Sequence, residues 1–127
     1  MKNVAVLIVT GILVFFVGGL INSIGASENN ETAGVDSMLE AIKHAEEAKT
    51  HKAHSKHMHD HAKMSLEYVK KAEIEAHKKN REEGKSHIAG AIQHLVKAIE
   101  HAEMGHSRIA GEHIEDALLE MQQYVNP

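Results

Sequence analysis

Two stretches of this chain are copies of one pattern, and that duplication restricts the fold more than any other feature. Ala41-Ile42-Lys43-His44 corresponds to Ala91-Ile92-Gln93-His94, and His51 to His101, at an offset of 50 residues. A little further on, His54 corresponds to His106, His61 to His113 and Leu66 to Leu118, at an offset of 52. A repeat unit that changes its offset once, in the middle, is two segments joined by a turn of slightly different length. Gly105 provides that turn in the second copy, between His101 and His106. The first copy should therefore break between His51 and His54, in a turn near Ala53 to Lys56.

Hydrophobic periodicity makes all four segments helices. Val35, Met38, Ile42 and Ala45 recur at spacings of three and four, as do Ala62, Ser65, Leu66, Val69, Ala72 and Ala76. The third stripe is Ile88, Ile92, Leu95, Ile99 and Ala102; the fourth is Ile114, Ala117, Leu118, Met121 and Val125. Asp36 or Ser37 is expected to cap the first helix, and Ser86 the third. Gly84 is the expected stop of the second helix, and Ser107 the start of the fourth. Four helices with short turns make an all-α, up-down-up-down four-helix bundle built from a duplicated helical hairpin.

The first 26 residues are of a different kind. Lys2 precedes the uncharged run Val4 to Leu20, small residues follow at Ser23, Gly25 and Ala26, and polarity then rises sharply. This is the pattern of a secretory signal peptide cleaved after Gly25 or Ala26, although an uncleaved N-terminal anchor of minimal length shares it. The expected organisation is a signal peptide over 1–26, a loose polar leader over 27–34 and the bundle over 35–127. The exported part should be periplasmic, with no membrane association once the signal is removed.

Histidine dominates what remains. There are 12 histidines, no cysteine and a formal charge of −4, with histidine counted as neutral. Absent cysteine excludes disulfides, thiolate zinc sites and iron–sulfur clusters. The acidic balance and scarce aromatics argue against a nucleic-acid partner. The stretch HKAHSKHMHDH packs His51, His54, His57, His59 and His61 into eleven residues, which suits metal ligation better than it suits a core or a solvated turn.

Spacing says how such ligands can meet. Histidines 44 and 51, 54 and 61, 94 and 101, and 106 and 113 are each seven apart. Two turns of helix put such a pair on one azimuth but about 10.5 Å apart, too far to share an ion held at about 2 Å. Partners must come from the neighbouring helix or from three or four residues away. The expected cross-helix pairs are His51/His54, His44/His61, His101/His106 and His94/His113. These would form two layers, 51, 54, 101 and 106 nearest the turns, then 44, 61, 94 and 113. His57 adds an i, i+4 chelate with His61, and His59 a ligand from the turn. Glu47, Asp60, Glu103, Asp116 and Met58, Met64 and Met104 are nearby donors. His77 and His87 lie at the far end. Histidines 87, 94 and 101 each precede a core residue, which places them on the flank of the bundle.

IKHAEEA (42–48), HAKMSL (61–66) and AIQHLVKAIEHAEMGH (91–106), behind a signal peptide, resemble the small periplasmic metal-binding proteins of bacteria. The resemblance spans 35–122. It implies a histidine-rich four-helix bundle that binds copper and other divalent ions, and it carries over His44, His51, His54, His61, His94, His101, His106 and His113. The chain departs from the pattern where Tyr68 and Glu120 replace the next histidines, and where His57 and His59 crowd a first turn without glycine. The expected function is non-catalytic buffering of divalent metal, copper(II) first, then nickel(II) or zinc(II), as the Irving–Williams order requires. A di-iron enzyme would need paired Glu-x-x-His motifs, and only Glu103 to His106 fits. A helical interaction or pH-sensing protein is the other class that the histidines permit.

Overall fold

The structure, a computed structural model, describes residues 32–127; the expected signal peptide and the polar stretch before Thr32 lie outside them. Four helices follow: α1 (Val35–Thr50), α2 (Ser55–Lys78), α3 (Lys85–Glu103) and α4 (Ser107–Val125). Each packs against its two neighbours in the cycle α1–α2–α3–α4–α1, and the diagonal pairs hardly meet. With short turns between them, consecutive helices must run antiparallel, so this is the four-helix bundle the repeat implies.

The two histidine-bearing turns close differently. In the second hairpin Gly105 takes φ +75°, the His106 amide donates to the His101 carbonyl at 2.8 Å, and the Gly105 amide to that of Ala102 at 3.0 Å. That pair of bonds satisfies the last helical carbonyls and lets the chain reverse within three residues. The first hairpin has no glycine and reverses over His51–His54, where the His54 amide donates to the His51 carbonyl at 2.8 Å. The break expected between His51 and His54 is there.

At the opposite end the expected stop and caps are replaced. The second helix ends at Lys78, and Asn80 rather than Gly84 supplies the left-handed residue, with φ +52°. The Arg81 amide then donates to Ala76 and that of Asn80 to His77, the same carbonyl-satisfying pattern. Glycine instead precedes the helices: Gly34 (φ +82°) caps α1 and Gly84 (φ +78°) caps α3, where Asp36, Ser37 and Ser86 were expected. Tyr124 packs against both, and the Ala72 carbonyl oxygen would lie 2.6 Å from a Cβ on the first. A Cβ on Gly34 would lie 2.8 Å from the Tyr124 Oη, and one on Gly84 2.5 Å from its Cδ2. The Tyr124 hydroxyl donates to the Ala33 carbonyl. Arg81, 6% exposed, stacks over the Tyr124 ring at 4.3 Å and donates to the Ala33 and Tyr124 carbonyls. A buried guanidinium held by two carbonyls and a ring closes this end, clear of the histidine turns.

More than half of the core is alanine. α1 buries Ala41, Ala45 and Ala48, α2 buries Ala72 and Ala76, and α3 buries Ile88, Ala91, Leu95, Ala98 and Ala102. The larger Ile42, Leu66, Ile92 and Val125, expected at the centre, are only partly buried and pack against this seam from its edges. Ser65, fully buried, bonds the Ala41 carbonyl at 2.8 Å. Small side chains allow helix axes to come close. Close axes bring the flanks of neighbouring helices together, and the flanks carry the histidines.

Candidate metal centres

On the flank between α1 and α2 the imidazoles interleave. The His61 ring lies 6.1 Å from that of His44 and 5.2 Å from that of His51, stacked on both. His61 thus fills the two-turn gap between two histidines of the other helix that cannot reach each other directly. His51 continues to His57 at 5.2 Å, and His57 to His54 at 5.7 Å. At the other end Tyr68 stacks on His44 at 5.4 Å and ends the series. The result is a ladder climbing one groove.

The second hairpin builds the same ladder. His113 intercalates between His94 (5.8 Å) and His101 (5.5 Å), and His101 meets His106 at 5.8 Å. In the cyclic order of the helices the α1–α2 and α3–α4 grooves lie on opposite sides of the bundle, with the alanine core between them. The expected four-histidine layers spanning both hairpins are therefore replaced by two separate ladders.

Three of the four expected cross-helix pairs meet: His44/His61, His94/His113 and His101/His106. The fourth is rearranged. His54, at φ −128° and ψ 84°, is carried outward by the turn, and His57, a helical turn later, takes its place beside His51. The expected His57/His61 chelate is likewise bridged by His51, whose ring lies 5.2 Å from each. His59 is not in the turn but inside α2, facing α3. Its Nδ1 meets Asp60 at 3.1 Å and its Nε2 meets Glu103 at 2.9 Å. Asp60 is also bonded by Lys56 at 2.7 Å; Lys56 first, then His59, hold its carboxyl down at about 2. Glu103, the acid of the lone Glu-x-x-His, is thus turned toward His59. His77 is exposed.

Each ladder brings in one carboxylate, and spacing alone singles out neither arrangement. Glu47 Oε2 lies 3.2 Å from His44 Nδ1 and 3.1 Å from His61 Nδ1, although on sequence it belongs to the turn preceding His51. Asp116 Oδ2 lies 3.5 Å from His94 Nδ1 and 4.0 Å from His113 Nδ1. In His44–Glu47–His61 and in His94–His113–Asp116, one donor atom from each residue lies within 4.8 Å of the other two. An ion held at about 2.1 Å needs donors about 3.4 Å apart, so small side-chain rotations suffice. The signal in sequence is the i, i+3 step from His44 to Glu47 and from His113 to Asp116.

The ring nitrogens fit a cation. Nδ1 of His61, His94, His101 and His113 is buried and makes no aligned hydrogen bond, although a carboxylate oxygen stands near the first, second and fourth. A buried polar atom without a well-formed hydrogen bond costs about 1–3 kcal/mol, which ligation would recover. Burial, then the positive neighbours His101, His94 and Lys97, hold the His113 pKa below its usual value, with Asp116 opposing. His113 therefore stays neutral, the form that ligates, to a lower pH than free imidazole.

The family model for small metal-binding proteins matches residues 1–124. The chain belongs to this family. No curated protein matches it. Metal binding thus has two independent supports, family membership and paired clusters of imidazole with carboxylate. This small metal-binding protein has one further pair, one heptad beyond His94 and His113: His87 Nδ1 meets Glu120 Oε2 at 2.7 Å. Glu120 lies over Gly90, where a Cβ would stand 2.9 Å from its carboxyl carbon. The departure at Glu120 therefore continues the second ladder by one rung, whereas Tyr68 ends the first.

Proposed function

We propose that this protein binds and buffers divalent transition metal in the periplasm, after removal of a signal peptide near Gly25 or Ala26, without catalysing a reaction. The observation that carries the reading is the pair of histidine–carboxylate clusters, one on each flank, whose buried ring nitrogens converge with a carboxylate oxygen. The ligands would be His44, His51, His54, His57 and His61 on one side and His94, His101, His106 and His113 on the other, with His59 bound to its carboxylates nearby. Imidazole and carboxylate without thiolate favour copper(II) over nickel(II) and zinc(II). Partly exposed ligands in an open groove suit exchange of ions with solution. Among the described residues no helix is long and apolar enough to cross a membrane.

The test is metal analysis of the protein isolated from the exported fraction of its native cell, followed by dialysis against copper, nickel and zinc in competition. At least one ion per hairpin, copper in excess over the other two, is the expected result. Protein that retains no ion from any of the three solutions would defeat the proposal.

A further inference from the structure

We propose that the two ladders are unequal and that Lys97 orders them, so that a divalent ion fills the His44–Glu47–His61 site before the His94–His113–Asp116 site. This rests on the metal-binding reading above and adds to it a difference between the two halves. Under the duplication Glu47 corresponds to Lys97 and Met64 to Asp116. Each site has two imidazoles and one carboxylate, but the carboxylate comes from α1 in the first hairpin and from α4 in the second. The position that holds an acid in the first site holds an ammonium in the second.

Lys97 follows His94 by three residues, as Glu47 follows His44, so it stands on the same helical face as the site. No such cation replaces the acid in the first hairpin, where the counterpart of Asp116 is the neutral, 42% exposed Met64. Glu47 also sits closer to its two ring nitrogens, at 3.2 and 3.1 Å, than Asp116 does at 3.5 and 4.0 Å. The next carboxylates outward are engaged in both halves, Glu40 with Lys43 at 3.9 Å and Glu120 with His87 at 2.7 Å. The lysine is the difference in charge between the two sites. A unit positive charge on the helical face that carries the site, in largely aqueous surroundings, weakens binding of a divalent ion on the order of tenfold.

Substoichiometric copper(II) added to the full-length protein at pH 7.5 should broaden the ring resonances of His44 and His61 ahead of those of His94 and His113. In two single-site variants, His94→Gln with His113→Gln and His44→Gln with His61→Gln, the first should bind about tenfold more tightly. Adding Lys97→Gln to the second should bring it to parity, because that change removes the charge and leaves every ligand. Simultaneous broadening of both sets, equal affinities, or no response to Lys97→Gln would overturn the ordering while leaving metal binding intact. Absence of binding in wild type and variants alike would overturn both.

Discussion

Lowering the pH from 7.5 to 5 should weaken a two-histidine copper site by roughly a thousandfold. Protons compete with metal for the same lone pair. Free imidazole titrates near 6.5, so roughly 90% is available at pH 7.5 and about 3% at pH 5, and the loss multiplies for each ligand. The total is about 4 kcal/mol for two ligands. Carboxylates, with ordinary values near 4, would lose little over that interval, so a site held by Glu47 or Asp116 alone would hardly respond. Within the second hairpin, His113 should take up its proton at a lower pH than free imidazole. The depressed pKa of His113 keeps its nitrogen free of protons further into the acid range, and the sign follows from burial and positive neighbours opposing protonation. Copper titrations at pH 7.5, 6 and 5, each at two salt concentrations, measure this. Steep loss with pH and weak dependence on salt is the expected pattern. Attraction to a merely acidic surface would show the reverse.

Replacing His44, His61, His94 and His113 together by Gln should reduce copper affinity at least a hundredfold and leave the metal-free fold in place. Both sites lose their two nitrogen donors. The rings lie on the flanks of the bundle, whereas the core is the alanine seam with Met38, Ile88, Leu95, Ile114 and Met121. Substitutions of this kind away from the core typically cost about 0.5 kcal/mol or less each. A helical circular dichroism spectrum in chelator, with a thermal midpoint within roughly 10 °C of wild type, should therefore accompany the loss of copper. A chain that depended on its ions for folding would behave like a zinc finger, and the variant would be unfolded. Unfolding of this variant would contradict a core formed without metal.

The duplication and the four apolar stripes make the helices, their order and the first turn legible in the amino-acid sequence. What they conceal is side-chain size and azimuth. Ile42, Ile92 and Val125 carry the strongest hydrophobic signal, yet the bundle closes on alanines, because close helix packing rewards small residues that a hydrophobicity pattern ranks low. Heptad spacing correctly keeps His44 from sharing an ion with His51. It cannot show that α2 sits offset so that His61 enters between them, since the stagger of two antiparallel helices is set by the turn and the seam. The expected caps fail for a similar reason: Gly34 is required by the Ala72 carbonyl and Tyr124, and Gly84 by Tyr124, partners remote in sequence that meet them only in the folded bundle. Glu47 and Asp116 are visible as nearby acids, but their partners depend on that same stagger. His59 is drawn to the turn by its neighbours in sequence, and its place facing Glu103 follows from α2 beginning at Ser55.

The most direct measurement is pulsed electron paramagnetic resonance of the wild-type protein loaded with one copper(II) per hairpin at pH 7.5. Modulation from the remote nitrogen of coordinated imidazole, at an amplitude corresponding to two or more rings per copper, is the result that histidine ladders predict. The signal should weaken in the variant lacking His44, His61, His94 and His113, which keeps only the turn-end imidazoles of each ladder. A spectrum with oxygen ligands only, or nitrogen modulation unchanged in that variant, would contradict the assignment of the ladders as the metal sites.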